Sequence, residues 1–141
     1  MVKFICGTKG TGKTKRLIEM ANEEIKIGNG NIAFIDVDDN HIFSLDSSVR
    51  LINAMEFNIK NIESFYGFLC GIIGMDYDLE KIYVDGIYKI IDIGTEDLKN
   101  LYETLEIISG KFNTEIYIGL DYTLAQIPET LKVKAEELEI K

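Results

Sequence analysis

The run Gly7-Thr8-Lys9-Gly10-Thr11-Gly12-Lys13-Thr14 meets the pattern G-x-x-x-x-G-K-[ST] at every fixed position. Set as the bend between a strand and a helix, such a loop aims its backbone N–H groups at a phosphate chain held on the positive end of the helix. Each residue type has a reason to be there. Gly7 and Gly12 let the chain turn and approach phosphate, Thr8, Lys9, Gly10 and Thr11 line the cradle, the Lys13 ammonium reaches the outer phosphates, and the Thr14 hydroxyl is a Mg²⁺ ligand. The flanks are of the required kind: Val2 to Cys6 is β-prone, and from Lys15 onward Leu17, Ile18, Ala21 and Ile25 recur on one helical face. The ligand this chemistry predicts is Mg-ATP.

A metal bridging such phosphates needs a second, fixed carboxylate, usually at the end of a later strand of the same sheet. Asp85 fits best, because it follows the apolar run Ile82-Tyr83-Val84. In many ATPases with an inserted strand a Glu comes next and orients the attacking water; here Gly86 follows. That shifts attention to Asp36, Asp38 and Asp39, which in a parallel sheet leave a strand on the same edge as the loop, and Asp38 joins Lys13 as the catalytic candidate. Arg50 is a candidate phosphate clamp, or a finger acting on a neighbouring subunit, against the alternative of a surface salt bridge. Asp121, after the run Ile116 to Leu120, is a sensor-like candidate on the same edge, with Thr123 behind it. His41 is the only histidine and receives no role. Phe65, Tyr66, Phe68 and Tyr102 sit at helical spacing and read as core.

The elements that must position these residues alternate between strand-like and helix-like runs, the signature of βα units building a parallel sheet. Gly28-Asn29-Gly30 stops the first helix, and Asn31 to Asp36 reads as a buried strand. His41-Ile42-Phe43 and Val49 to Ile52 flank Leu45-Asp46-Ser47-Ser48, which leaves open a hairpin or a loop leading into another strand. Asn61 is placed to cap a second helix carrying Ile62, Phe65, Leu69, Ile72 and Ile73, weakened by Gly67, Gly71 and Gly74. Lys81 to Asp85 is the next strand. Thr95 is predicted to cap a third helix that Gly110 closes, Glu115 to Leu120 is a further strand, and Pro128 opens a charged tail, helical or extended. The expected architecture is one domain over residues 1–141, a three-layer αβα sandwich with a P-loop NTPase fold and a mostly parallel sheet of about five strands. Ile116 to Leu120 is the natural insert between the loop strand and the Asp85 strand.

Composition narrows the partners. With 24 acidic against 15 basic residues and a net charge of −9, the chain lacks the cationic surface that holds nucleic acid. Cys6 and Cys70 have no Cys or His at metal spacing, which predicts reduced thiols. The longest apolar stretch, Phe68 to Met75, is far below the ~20 residues of a membrane span, and no signal peptide precedes the first strand. A soluble cytoplasmic protein without membrane contact is expected.

The order of these pieces resembles a family of short clostridial and related P-loop proteins commonly labelled "twitching motility protein" or "ATP-binding protein". Val2 to Arg16, Phe34 to Asn40, Phe65 to Ile73 and Val84-Asp85-Gly86 carry the resemblance, which implies nucleotide binding and the fold rather than a process. A fainter likeness to bacterial-type thymidine kinases lies in the loop and in Gly119-Leu120-Asp121-Tyr122. The function expected is a Mg-ATP-binding switch or slow ATPase acting on a protein partner or a second copy of itself. The alternative is a small-molecule kinase transferring the γ-phosphate to a nucleoside or nucleotide, against which two arginines in the whole chain weigh, since such kinases close an arginine-rich lid. The guanine-reading pattern Asn-Lys-x-Asp is absent.

Overall fold

In the computed structural model, which describes residues 1–138, six strands form one sheet in the order β3-β2-β4-β5-β1-β6. The strands are β1 (Val2–Cys6), β2 (Asn31–Asp36), β3 (Arg50–Asn53), β4 (Leu79–Val84), β5 (Glu115–Leu120) and β6 (Ala135–Glu137). Every neighbouring pair is parallel. The helices are α1 (Lys13–Ile27), α2 (Ile62–Gly74), the single turn α3 (Ile87–Ile90) and α4 (Leu98–Phe112). A parallel sheet hides both faces, so its strands need apolar residues on both sides. The central strands have them: Ile32 to Ile35, Ile82 to Val84 and Ile116 to Leu120 are buried without interruption apart from the half-turned edges.

Two apolar clusters lie on opposite faces. On one, Leu17, Ile18 and Ala21 of α1 meet Ile5, Ile32, Phe34, Tyr83 and Tyr117. The rings of Phe34, Tyr83 and Tyr117 stand at one register on β2, β4 and β5, with centroids 6.4 and 5.1 Å apart and near-parallel planes. On the other face Phe65, Leu69 and Ile73 of α2 and Leu98, Leu101, Leu105 and Ile108 of α4 meet Val2, Phe4, Ile82 and Ile116. Helices on both sides of a sheet make the three layers expected. β5 lies between β1 and β4, where an inserted strand was anticipated.

Several local expectations change. The sheet has six strands rather than about five, and of the two alternatives left open after β2 the structure has the loop, a series of turns leading into β3. Thr95 does not cap the third helix. A 3₁₀ turn, Thr95–Asp97, precedes α4; the Asp97 carboxylate accepts the Gly94 N–H at 2.8 Å across that turn, and Asp97 stands at the N-cap of α4 with no side-chain hydrogen bond to the helix. Gly110 does not close α4 either. The helix runs to Phe112 and ends at Asn113 in the left-handed conformation, φ 54°, a residue type that tolerates it. Asn61 does cap α2, in a reciprocal box with Ser64. The charged tail forms a 3₁₀ segment, Glu129–Lys134, and then β6 on the free edge of β1; its last residues, 139–141, lie outside the described residues. Among the described residues no helix is long and apolar enough to cross a membrane.

Candidate functional site

All the parallel strands present their C-terminal ends to one edge of the sheet, the edge at which β1 delivers Gly7 and β4 delivers Asp85. The loop between β1 and α1 is fastened at its start by the Gly7 N–H to the Tyr122 C=O, 2.9 Å, and turned inside by the Thr11 hydroxyl to the Thr8 C=O, 2.8 Å. Gly12 enters α1 at φ 92°, where a side chain would be strained, and no side chain caps the helix. The first N–H groups of α1 are therefore left pointing at the loop's mouth, with the positive end of the helix behind them.

Lys13 is buried apart from 8% of its surface. Its ammonium donates to the Gly7 and Thr8 carbonyls at 2.6 and 3.0 Å and pairs with Asp121 at 3.1 Å, so the cation bridges the loop and the end of β5. Thr14, one residue on, donates its hydroxyl to Asp85 Oδ2 at 2.7 Å. Residues 71 positions apart are thus joined by a single hydrogen bond at the point where the sequence pattern placed a metal. Burial raises the proton affinity of Asp85; the Thr14 hydrogen bond opposes that, the nearby Asp36 carboxylate adds to it, and His41 opposes it. A desolvated carboxylate held against a hydroxyl is a hard-oxygen donor set that fits Mg²⁺, which would relieve the buried charge. Bound there, Mg²⁺ would supply charge neutralisation for phosphate oxygens.

These groups line one cavity of about 720 Å³, together with Lys9, Gly10, Gly12, His41, Tyr88, Lys89 and Asp121. The size is that of a small-molecule site. The Tyr88 hydroxyl in its wall is buried beside the Asp121 main chain without completing a hydrogen bond.

Of the residues expected at a site, Gly10, Gly12, Lys13, Thr14, Asp85 and Asp121 meet in this cavity, and Gly7 and Thr8 hold Lys13 from the loop's start. Asp38 does not line it. Its carboxylate accepts the Asn40 N–H at 2.9 Å and shapes a turn. Asp36 is buried beneath the strand ends. Arg50 stands elsewhere, at the start of β3, where it lines a separate groove with Ser48, Ile52 and Phe68. His41, given no role in the sequence, is in the wall of the cavity, 3.1 Å from Asp36 through Nδ1. The five-residue spacing between the two was the available signal, and it needed the intervening turn to be meaningful. Gly86 sits at φ 76°, and a Cβ there would come within 2.9 Å of Val37 Cγ1. Any side chain after Asp85 would be strained and would press on Val37.

Compared with protein-family models and with curated proteins, the chain matches none.

Proposed function

We propose that the chain binds a nucleoside triphosphate, ATP with Mg²⁺, at the loop Gly7 to Thr14, and that it is a slow ATPase or nucleotide-dependent switch of the P-loop NTPase type. The observation that carries this reading is the joined pair Thr14 and Asp85 beside the Lys13 ammonium, because a metal ligand couple and a phosphate cation then share one cavity at the open end of a helix. Lys13 is held by neutral carbonyls and one half-exposed carboxylate, partners that phosphate oxygens can replace. Slowness is supported by Gly86 and by the absence of arginine from the cavity wall among the described residues.

A second reading, transfer of the γ-phosphate to a small hydroxyl acceptor, draws on the extent of the cavity, which continues past the loop to Ser44, Tyr88 and Lys89. Calorimetric titration with Mg-ATP tests the binding itself. Affinity in the micromolar range that falls about 10- to 100-fold in Lys13→Ala, the loss of charge-assisted hydrogen bonds, is expected. Equal affinity in the two proteins removes the assignment. Incubation with a panel of nucleosides then separates phosphate release from phosphate transfer.

A further inference from the structure

Two carboxylates leave adjacent strands side by side. The Asp85 N–H bonds to the Ile35 C=O at 2.9 Å, which sets the residue after β4 against the last residue of β2, Asp36. They differ in what they hold. Asp85 takes the Thr14 hydroxyl. Asp36, only 2% exposed, accepts the Val37 N–H through Oδ1 at 2.8 Å and offers Oδ2 to His41 Nδ1 at 3.1 Å. The Asp38 turn and the Ile42 N–H to Asp39 C=O bond, 3.2 Å, fold the chain back so that the ring returns over the strand end. With Nδ1–H assigned to the carboxylate by this hydrogen bond, the neutral ring carries its lone pair on Nε2. The ring's side chain is 37% exposed, and it contributes to the wall of the cavity that holds Lys13, Thr14 and Asp85. A base aimed by a buried anion beside a phosphate-type site is an arrangement for activating a nucleophile.

We propose that His41 is the general base of triphosphate hydrolysis at this site, and that Asp36 is its positioning residue; the assignment rests on the nucleotide reading above. Nε2 takes a proton from water as the water oxygen forms its bond to the γ-phosphorus. The bond from that phosphorus to the β,γ-bridging oxygen breaks, and its electron pair leaves on the β-phosphate of the diphosphate, within the field of Lys13. Phosphate and nucleoside diphosphate result, and the imidazolium returns its proton to solvent. Carboxylate oxygens of Asp36 and Asp38 and a ring nitrogen of His41 lie within 4.8 Å of one another. β2 is one of the two strands beside β4, and the chain leaving it brings His41 to the cavity wall, whereas Asp121 after β5 is engaged with Lys13.

The test is single-turnover phosphate release from Mg-ATP with protein in excess, alongside calorimetric affinity, in wild type, His41→Ala, His41→Gln and Asp36→Asn. Affinity is expected to stay unchanged in the His41 variants while release falls about 10²-fold, the usual contribution of a positioned base. Added imidazole should restore part of the rate to His41→Ala but not to His41→Gln, whose amide fills the space. Asp36→Asn should lower kcat and leave KM in place. Wild-type release by His41→Ala with intact affinity overturns the proposal, and so does a loss of rate that imidazole leaves untouched. Loss of Mn²⁺ binding, followed by electron paramagnetic resonance, in both His41→Ala and Asp36→Asn would overturn it in favour of a metal ligand role. Failure of the wild type to bind Mg-ATP at all overturns the nucleotide reading, and this assignment with it.

Discussion

Burial sets the charge of Asp85 against the stability of the fold. The carboxyl's pKa is raised above the ordinary 3.8, first by burial, so the folded protein holds this proton more tightly than the unfolded chain does. For an acid shifted upward the stability present below the unfolded pKa is lost as pH rises through the folded one, so at neutral pH the ionised Asp85 costs stability. Asp85→Asn in chelator-treated protein is therefore expected to come closest to wild type in stability below the ordinary carboxyl pKa and to melt higher than wild type at neutral pH. The same variant should lose the gain in nucleotide affinity that added Mg²⁺ gives wild type. Thermal melts across pH and titrations with and without Mg²⁺ check both halves; an unchanged Mg²⁺ dependence moves the metal ligand elsewhere. At this scale the sequence was legible where a residue's place depends on a local pattern. The loop pattern put Lys13 and Thr14 at the sheet edge, and the apolar run before Asp85 put that carboxylate beside them, as the contacts and the shared cavity show. His41 was not legible, because its partner is set by a turn that Asp38 and Asn40 fold, and Arg50 was misleading, because its side chain type says nothing of the face it occupies.

Among the elements, the backbone at Gly86 decides what can follow β4. Gly86→Glu restores the residue expected in many ATPases, yet it places a side chain at φ 76° against Val37. A loss of about 1–3 kcal/mol in denaturant unfolding is expected, with no gain in phosphate release. A faster enzyme of unchanged stability would contradict the strain at this position. The aromatic row across β2, β4 and β5 is the corresponding anchor on the α1 face: Tyr83→Ala removes its middle ring, 1% exposed, and should cost about 3–5 kcal/mol in the same measurement. The strands Val2 to Cys6, Asn31 to Asp36 and Glu115 to Leu120 were readable because a strand covered on both faces is rich in apolar residues, broken in β1 only by exposed Lys3. β6 was not, since Ala135-Glu136-Glu137 carries no apolar run and pairs only because β1 has a free edge. The N-terminus of α4 misled for a related reason: Thr95 has the chemistry of a cap, but a 3₁₀ turn, Thr95–Asp97, comes before the helix and moves its N-cap position to Asp97.

For the molecule as a whole, charge and order of strands set the remaining expectations. Net charge −9 predicts no appreciable binding of single- or double-stranded DNA or RNA at physiological salt, and sub-micromolar, salt-sensitive binding in anisotropy measurements would contradict it. If a partner or a second copy supplies the missing arginine, ATP turnover should rise with protein concentration; a concentration-independent rate above roughly 1 s⁻¹ would describe a complete monomeric enzyme. The layered α/β architecture was legible because alternation of element types survives in the sequence, whereas strand order did not, being a matter of which edges meet. That order has a kinetic consequence. β1 pairs Val2 with Ile116 and Phe4 with Ala135, so the strand that feeds the phosphate loop finds both of its neighbours from the far half of the chain. Contacts of such sequence separation form late, because the loop-closure entropy is spent before they repay it. During refolding α1 has its helical residues in hand early, but the Thr14 to Asp85 and Lys13 to Asp121 contacts arrive only with the closing of the central strands. Refolding followed by hydrogen exchange should then show the glycine loop gaining protection last, in step with β5.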